Sequence, residues 1–177
     1  MDGQRKISQG SQVSRISVRP AALCLCAFWL WTAPEAVGQR VDLEPRQQAL
    51  QLDYAFEDGA QAFPPAVWDF RNAGFARGVV VSWELEAFTH TQWPQHQADA
   101  DVQVRLIRAG SNGRWRITQE YDTTNLAAGR ESAVVSVASD GRGRGAAELL
   151  VRFVSRNPRL VAAGTYQATV TGTISGQ

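Results

Sequence analysis

Two histidines and two aspartates crowd the segment THTQWPQHQADAD: His90, His96, Asp99 and Asp101. A His-x5-His pair followed by carboxylates offers nitrogen and oxygen donors that can ligate zinc or another divalent cation. Such a site would make the chain a metal-dependent enzyme. The spacing matches no H-E-x-x-H motif. The segment is polar and contains Trp93-Pro94, so it reads as a loop, where two histidines are also ordinary solvated side chains.

Other catalytic patterns are thinner. There is no G-x-S-x-G elbow, and the two cysteines, Cys24 and Cys26, lie in an apolar run near the start. Gly141-Arg142-Gly143-Arg144-Gly145 lacks the lysine and the following helix of a phosphate loop, and reads as a turn. Glu84 and Glu86 share a strand face about 7 Å apart, a geometry open to glycoside hydrolysis but equally that of any solvent face. No cofactor is implied. Among the tryptophans, Trp83 and Trp115 sit on apolar rows and belong to a core. Trp93 in the polar loop and Trp68 beside Pro64-Pro65 are the candidates for ligand binding, by stacking on a sugar ring or anchoring a partner.

The elements that must position these residues are strands. Val79, Val81, Trp83, Leu85 and Ala87 alternate with Ser82, Glu84 and Glu86. Val102, Val104 and Leu106 form another apolar row, and Trp115, Ile117 and Tyr121 continue beyond a Gly-Ser-Asn-Gly turn. Segments 101–108 and 114–121 therefore predict a hairpin. Segments 132–139 and 147–154, around DGRGRG, predict a second. GTYQATVTGTIS, 164–175, alternates Tyr166, Ala168, Val170 and Ile174 with Gln167 and threonines, as a closing half-buried strand should. The expectation is all-β: an antiparallel, immunoglobulin-like sandwich of about seven or eight strands.

The start of the chain reads as an address. Residues 1–20 are basic, 21–32 (AALCLCAFWLWT) carry no charge, and Ala36-Val37-Gly38 is a small-residue site. This pattern predicts a signal peptide over 1–38, cleaved between Gly38 and Gln39, and a single domain over 39–177. Twelve apolar residues are too few for a membrane span. The expected destination is outside the cytoplasm: periplasm, cell surface or medium. Residues 39–177 contain no cysteine and no lysine, and 14 arginines face 15 acidic residues. Balanced charge excludes a nucleic-acid binder that works by bulk electrostatics, and 44% hydrophobic residues excludes wholesale disorder.

The ending Ala163-Gly164-Thr165-Tyr166-Gln167-Ala168-Thr169-Val170 resembles the closing G-x-Y strand of bacterial fimbrial and spore-coat-type pilus subunits. The cysteine-free body is similar to pilin classes without a disulfide, and LQLDYAFEDGAQAF, 50–63, is loosely like their early strand. The resemblance implies assembly with copies of itself or other surface subunits by strand pairing, an extended segment of one chain completing another's sheet. The donor would lie in 39–49, where Val41 and Leu43 alternate correctly and Pro45 interrupts. The resulting expectation is an exported, non-enzymatic structural or adhesive component of a cell-surface assembly. The alternatives are a carbohydrate- or ligand-binding module using the 89–100 loop and, third, the metal-dependent enzyme.

Overall fold

The computed structural model describes residues 41–46, 52–54, 59–109, 114–156 and 161–177. The leader with its cleavage site Gly38–Gln39, and the tip of the first expected hairpin at 110–113, lie outside these residues.

The fold is an all-β sandwich of two antiparallel sheets. Thirteen strands are present among the described residues: β1 Val41–Pro45, β2 Leu52–Tyr54, β3 Gly59–Ala62, β4 Ala66–Asn72, β5 Val79–Glu86, β6 Phe88–His90, β7 Gln97–Ala109, β8 Arg116–Gln119, β9 Tyr121–Thr123, β10 Ser132–Ala138, β11 Gly143–Ser155, β12 Gly164–Gln167 and β13 Val170–Gly176. The larger sheet runs β1-β4-β11-β7-β6-β12-β2, with β3 also on β11 and β9 also on β7; the smaller runs β13-β5-β10-β8.

β7 and β11, 13 residues each, are the spine. Shorter strands share their outer edges end to end. β11 pairs β4 along 143–149 and β3 along 152–155. β7 pairs β6 at 97–98 and β9 at 101–103. The alternating rows face inward: Val79, Val81, Trp83 and Leu85 from β5, Val135 and Val137 from β10, Val102 and Val104 from β7, and Leu149, Val151 and Phe153 from β11 are all buried. The period-two pattern produces this because successive side chains of a strand point to opposite faces. Trp83 and Trp115 are core residues, with Phe70 against both rings at 6.0 and 4.5 Å. A second aromatic stack joins Phe63, Phe88, Phe153 and Tyr166 at successive centroid distances of 5.2, 5.3 and 5.0 Å.

The strand count exceeds the expected seven or eight because three apolar runs change sheets midway and because further strands, β4 among them, form where no alternating run was marked. The run over 77–89 breaks at Ala87, whose N–H donates to the Glu131 carbonyl, leaving β5 in the small sheet and β6 in the large one. The closing run breaks at 168–169 into β12 and β13 in the same manner. The run over 114–123 divides into β8, which pairs β10, and β9, which pairs β7.

The first expected hairpin forms only away from its tip, where β7 pairs β9 at 101–103, and the second does not form. β7 does not pair with β8; burial of Trp115 against Phe70 carries the chain across to the small sheet first, and Ile117 and Tyr121 end up exposed. β10 and β11 belong to opposite sheets, so the segment between them is an arch rather than a hairpin turn. An apolar row satisfies its burial equally well beside its neighbour or facing it, and alternation cannot distinguish the two.

That arch is locked to the neighbouring crossover from β4 to β5. Asn72, 1% exposed, donates from Nδ2 to the carbonyls of Phe75 (2.8 Å) and Gly141 (2.9 Å) and accepts the Phe75 N–H at Oδ1 (2.9 Å). Ser139 Oγ accepts the Val79 N–H (3.2 Å) and donates to the Gly141 carbonyl (3.0 Å). Gly78 lies between them at φ +105°.

On the outer face, Asp69 pairs with Arg46 (2.6 Å) and Arg108 (3.2 Å), and the hydrogen bond from Arg46 holds its carboxyl below the usual aspartate range. The folded-state value is the lower one. The contribution to stability is therefore present above the unfolded aspartate pKa and is lost as pH falls through the folded one. Asp69→Asn should lower the melting temperature slightly at neutral pH. The difference from wild type should vanish in acid and shrink in high salt, since all three side chains are solvent-accessible. Thermal melts across pH and salt check this.

Candidate functional site

The segment that sequence reasoning singled out forms a tight loop at one end of the sandwich. The His90 N–H donates to the His96 carbonyl, and the His96 N–H donates to the Trp93 carbonyl, both at 2.9 Å. The Thr91 N–H donates to the Thr165 carbonyl, joining the loop to β12.

His90 is 2% exposed. Its Nδ1 accepts two backbone N–H groups, from Gln92 (3.0 Å) and Trp93 (3.1 Å). The geometry therefore puts the proton of the neutral ring on Nε2, which donates to the Ala163 carbonyl at 3.3 Å. Both nitrogens are occupied in holding backbone, so this histidine has no lone pair left for a metal ion. Gly164, at φ +142°, makes the arrangement possible, because a Cβ there would collide with His90 Nε2. Tyr166 meets the imidazole edge-on at 5.0 Å, and its hydroxyl bonds back to both the N–H (3.1 Å) and carbonyl (3.0 Å) of Ala162.

Asp99 and Asp101 lie on the outer face of β7 and are committed elsewhere. Asp99 Oδ1 accepts from Thr124 Oγ1 and the Leu126 N–H, each at 2.9 Å, and Oδ2 pairs with Arg156 at 2.8 Å. Asp101 pairs with Arg152 at 2.8 Å. Among the described residues no three His, Cys, Asp or Glu side chains come together as a metal-holding group. The His90, His96, Asp99 and Asp101 set expected from spacing is thus not assembled: His90 ends β6, His96 lies in the loop that follows, and the aspartates stand on a strand face already supplied with arginines.

Trp68 is half-buried. It packs edge-on against Trp83 at 6.2 Å and lies with Leu43 against the backbone of Gly172. It belongs to the packing between β1, β4 and β13 rather than to a free surface. Trp93 differs, being 47% exposed while stacked on His90 at 4.7 Å and 28°. The pinned imidazole beneath gives Trp93 a rigid backing, and His96 flanks it edge-on at 6.2 Å.

The sequence did not mark the outer face of the large sheet beside Tyr121. Tyr121 is 48% exposed and borders a shallow groove of about 280 Å³. A tyrosine on an otherwise apolar row was the only signal. No helix among the described residues is long and apolar enough to cross a membrane. Compared with family models, curated proteins and solved structures, the chain has no match.

Proposed function

We infer that this is an exported, non-catalytic β-sandwich that serves as a structural or adhesive component of a cell-surface assembly, exchanging its first strand between copies. The observation that carries the reading is the position of β1. Among the described residues it is an edge strand, paired with β4 alone, with Val41 opposite Asn72 and Pro45 opposite Trp68. Pro45, at the strand end, costs the sheet no bond an interior strand would need. Leu43 reaches over Trp68 to Gly172 of the opposite sheet, so β1 closes the seam between the two sheets. A terminal strand that completes the core from the edge can be supplied by its own chain or by a neighbour with the same contacts.

Light scattering after size exclusion should show concentration-dependent multimers of the purified protein. A synthetic peptide of residues 39–49 in excess should convert them to monomers. Leu43→Asp should weaken both multimer formation and peptide capture. Monomers at every concentration that take up no peptide would refute strand exchange.

A second reading, a ligand-binding module using the 89–100 loop, is favoured by the backed and exposed ring of Trp93. It predicts that polysaccharide shifts tryptophan emission and that Trp93→Ala abolishes the shift. An unchanged spectrum across neutral and acidic glycans counts against it.

A further inference from the structure

We propose that the groove beside Tyr121, on the outer face of the larger sheet, binds a neutral carbohydrate chain. The groove crosses strands: Tyr121 stands on β9, Gln103 on β7, Leu150 on β11, and Ala62 at the end of β3 closes the far side. The register places Gln103 opposite both Tyr121 and Leu150, so these three side chains form one row on one face. Four strands about 4.8 Å apart give a trough roughly 14 Å long, long enough for several linked sugar rings.

Side chains in this row and in the one beside it are already held. Arg152 is held by Asp101 at 2.8 Å, and Gln103 is drawn toward Glu120 at 3.0 Å. Tyr121 keeps its ring open to solvent beside Gln103. A pyranose presents a C–H-bearing face that suits the negative face of an aromatic ring. Its hydroxyls are paired donors and acceptors that suit amide, guanidinium and carboxylate groups fixed in advance. Side chains pinned before binding lose less freedom on binding.

Charge selects the class of sugar. Two arginines, Arg105 and Arg152, line the groove with Asp101, while Glu148 lies opposite Arg105 and Glu120 bonds Gln103. Two cations against three carboxylates leave no surplus positive charge for an acidic polymer or a phosphate. The ligand is therefore held by stacking and hydrogen bonds, with little dependence on salt.

Calorimetry on the purified protein would use cellohexaose, maltohexaose, laminarihexaose, mannohexaose and chitohexaose, with oligogalacturonate as the acidic comparison. At least one neutral hexasaccharide should bind. Tyr121→Ala should weaken binding about tenfold or more, whereas Tyr121→Phe keeps the ring and should stay within about twofold. If Trp93→Ala abolishes binding and Tyr121→Ala does not, the sugar sits on the Trp93 loop and the proposal fails. The proposal fails if no neutral sugar binds, if Tyr121→Ala binds as wild type does, or if only oligogalacturonate binds and salt abolishes it. These outcomes are read without reference to multimer formation, so failure here leaves strand exchange untouched, and the reverse holds too.

Discussion

Gly78→Ala is expected to remove a large share of the stability of the fold. Gly78 sits at φ +105°, outside the region that residues with a Cβ adopt readily. An added Cβ would also lie far inside van der Waals contact with the Ser139 carbonyl oxygen and 2.8 Å from its carbonyl carbon. Backbone cannot swing aside as a long side chain can. That carbonyl belongs to the arch between β10 and β11, which is itself tied to Val79 through the Ser139 N–H (2.9 Å) and Oγ (3.2 Å). Backbone strain of about 1–3 kcal/mol and overpacking of a further 1–3 kcal/mol put the cost at roughly 2–6 kcal/mol. A domain typically has about 5–15 kcal/mol in total. Urea denaturation followed by tryptophan emission measures this directly. A midpoint within error of wild type would mean that the two crossovers can separate without loss.

Asn72→Ala should cost about 2–4 kcal/mol through a different route. The side chain is buried and makes three hydrogen bonds to backbone of two separate crossovers. Each is worth about 1 kcal/mol net, and the carbonyls of Phe75 and Gly141 lose a buried donor. Asn72→Asp isolates the amide, since shape is kept while a carboxylate faces two carbonyl oxygens. In that variant the folded state favours the protonated acid, so its stability should rise as pH falls toward the ordinary aspartate range. Parallel denaturation curves for the two variants at neutral and mildly acidic pH separate loss of volume from loss of the donor. Because Gly78 and Asn72 serve the same corner, the double variant should be less destabilised than the sum of the singles.

The inward rows were legible because burial follows alternation. Val79, Val81, Trp83, Leu85, Val102 and Val104 stand in the core as their spacing implied. Which rows share a sheet was not legible. The β10–β11 arch depends on Asn72 reaching Gly141 across 69 positions, and no local pattern records such a contact. Sheet changes at Ala87 and at 168–169 leave the alternation almost intact, so single long strands were read where two short ones exist. His90 was conspicuous for the chemistry of imidazole, yet its duty is to hold the Gln92 and Trp93 N–H groups. The residues behind the pilus-subunit resemblance have local duties too: Gly164 makes room for His90, and Tyr166 ties back to Ala162. Exposure of Tyr121 was not legible, because an exposed aromatic and a buried one have the same letter and the same period.

The order in which partners meet along the chain has a kinetic consequence. β5 waits for β13, β2 waits for β12, and β4 waits for β11, all of them from the later part of the sequence. Neither layer can close while the C-terminal strands are still being made. Chains whose pairing is so non-local fold slowly, in about milliseconds to seconds. Until β12 and β13 are in place, the apolar rows they will cover stay open to pairing with other chains.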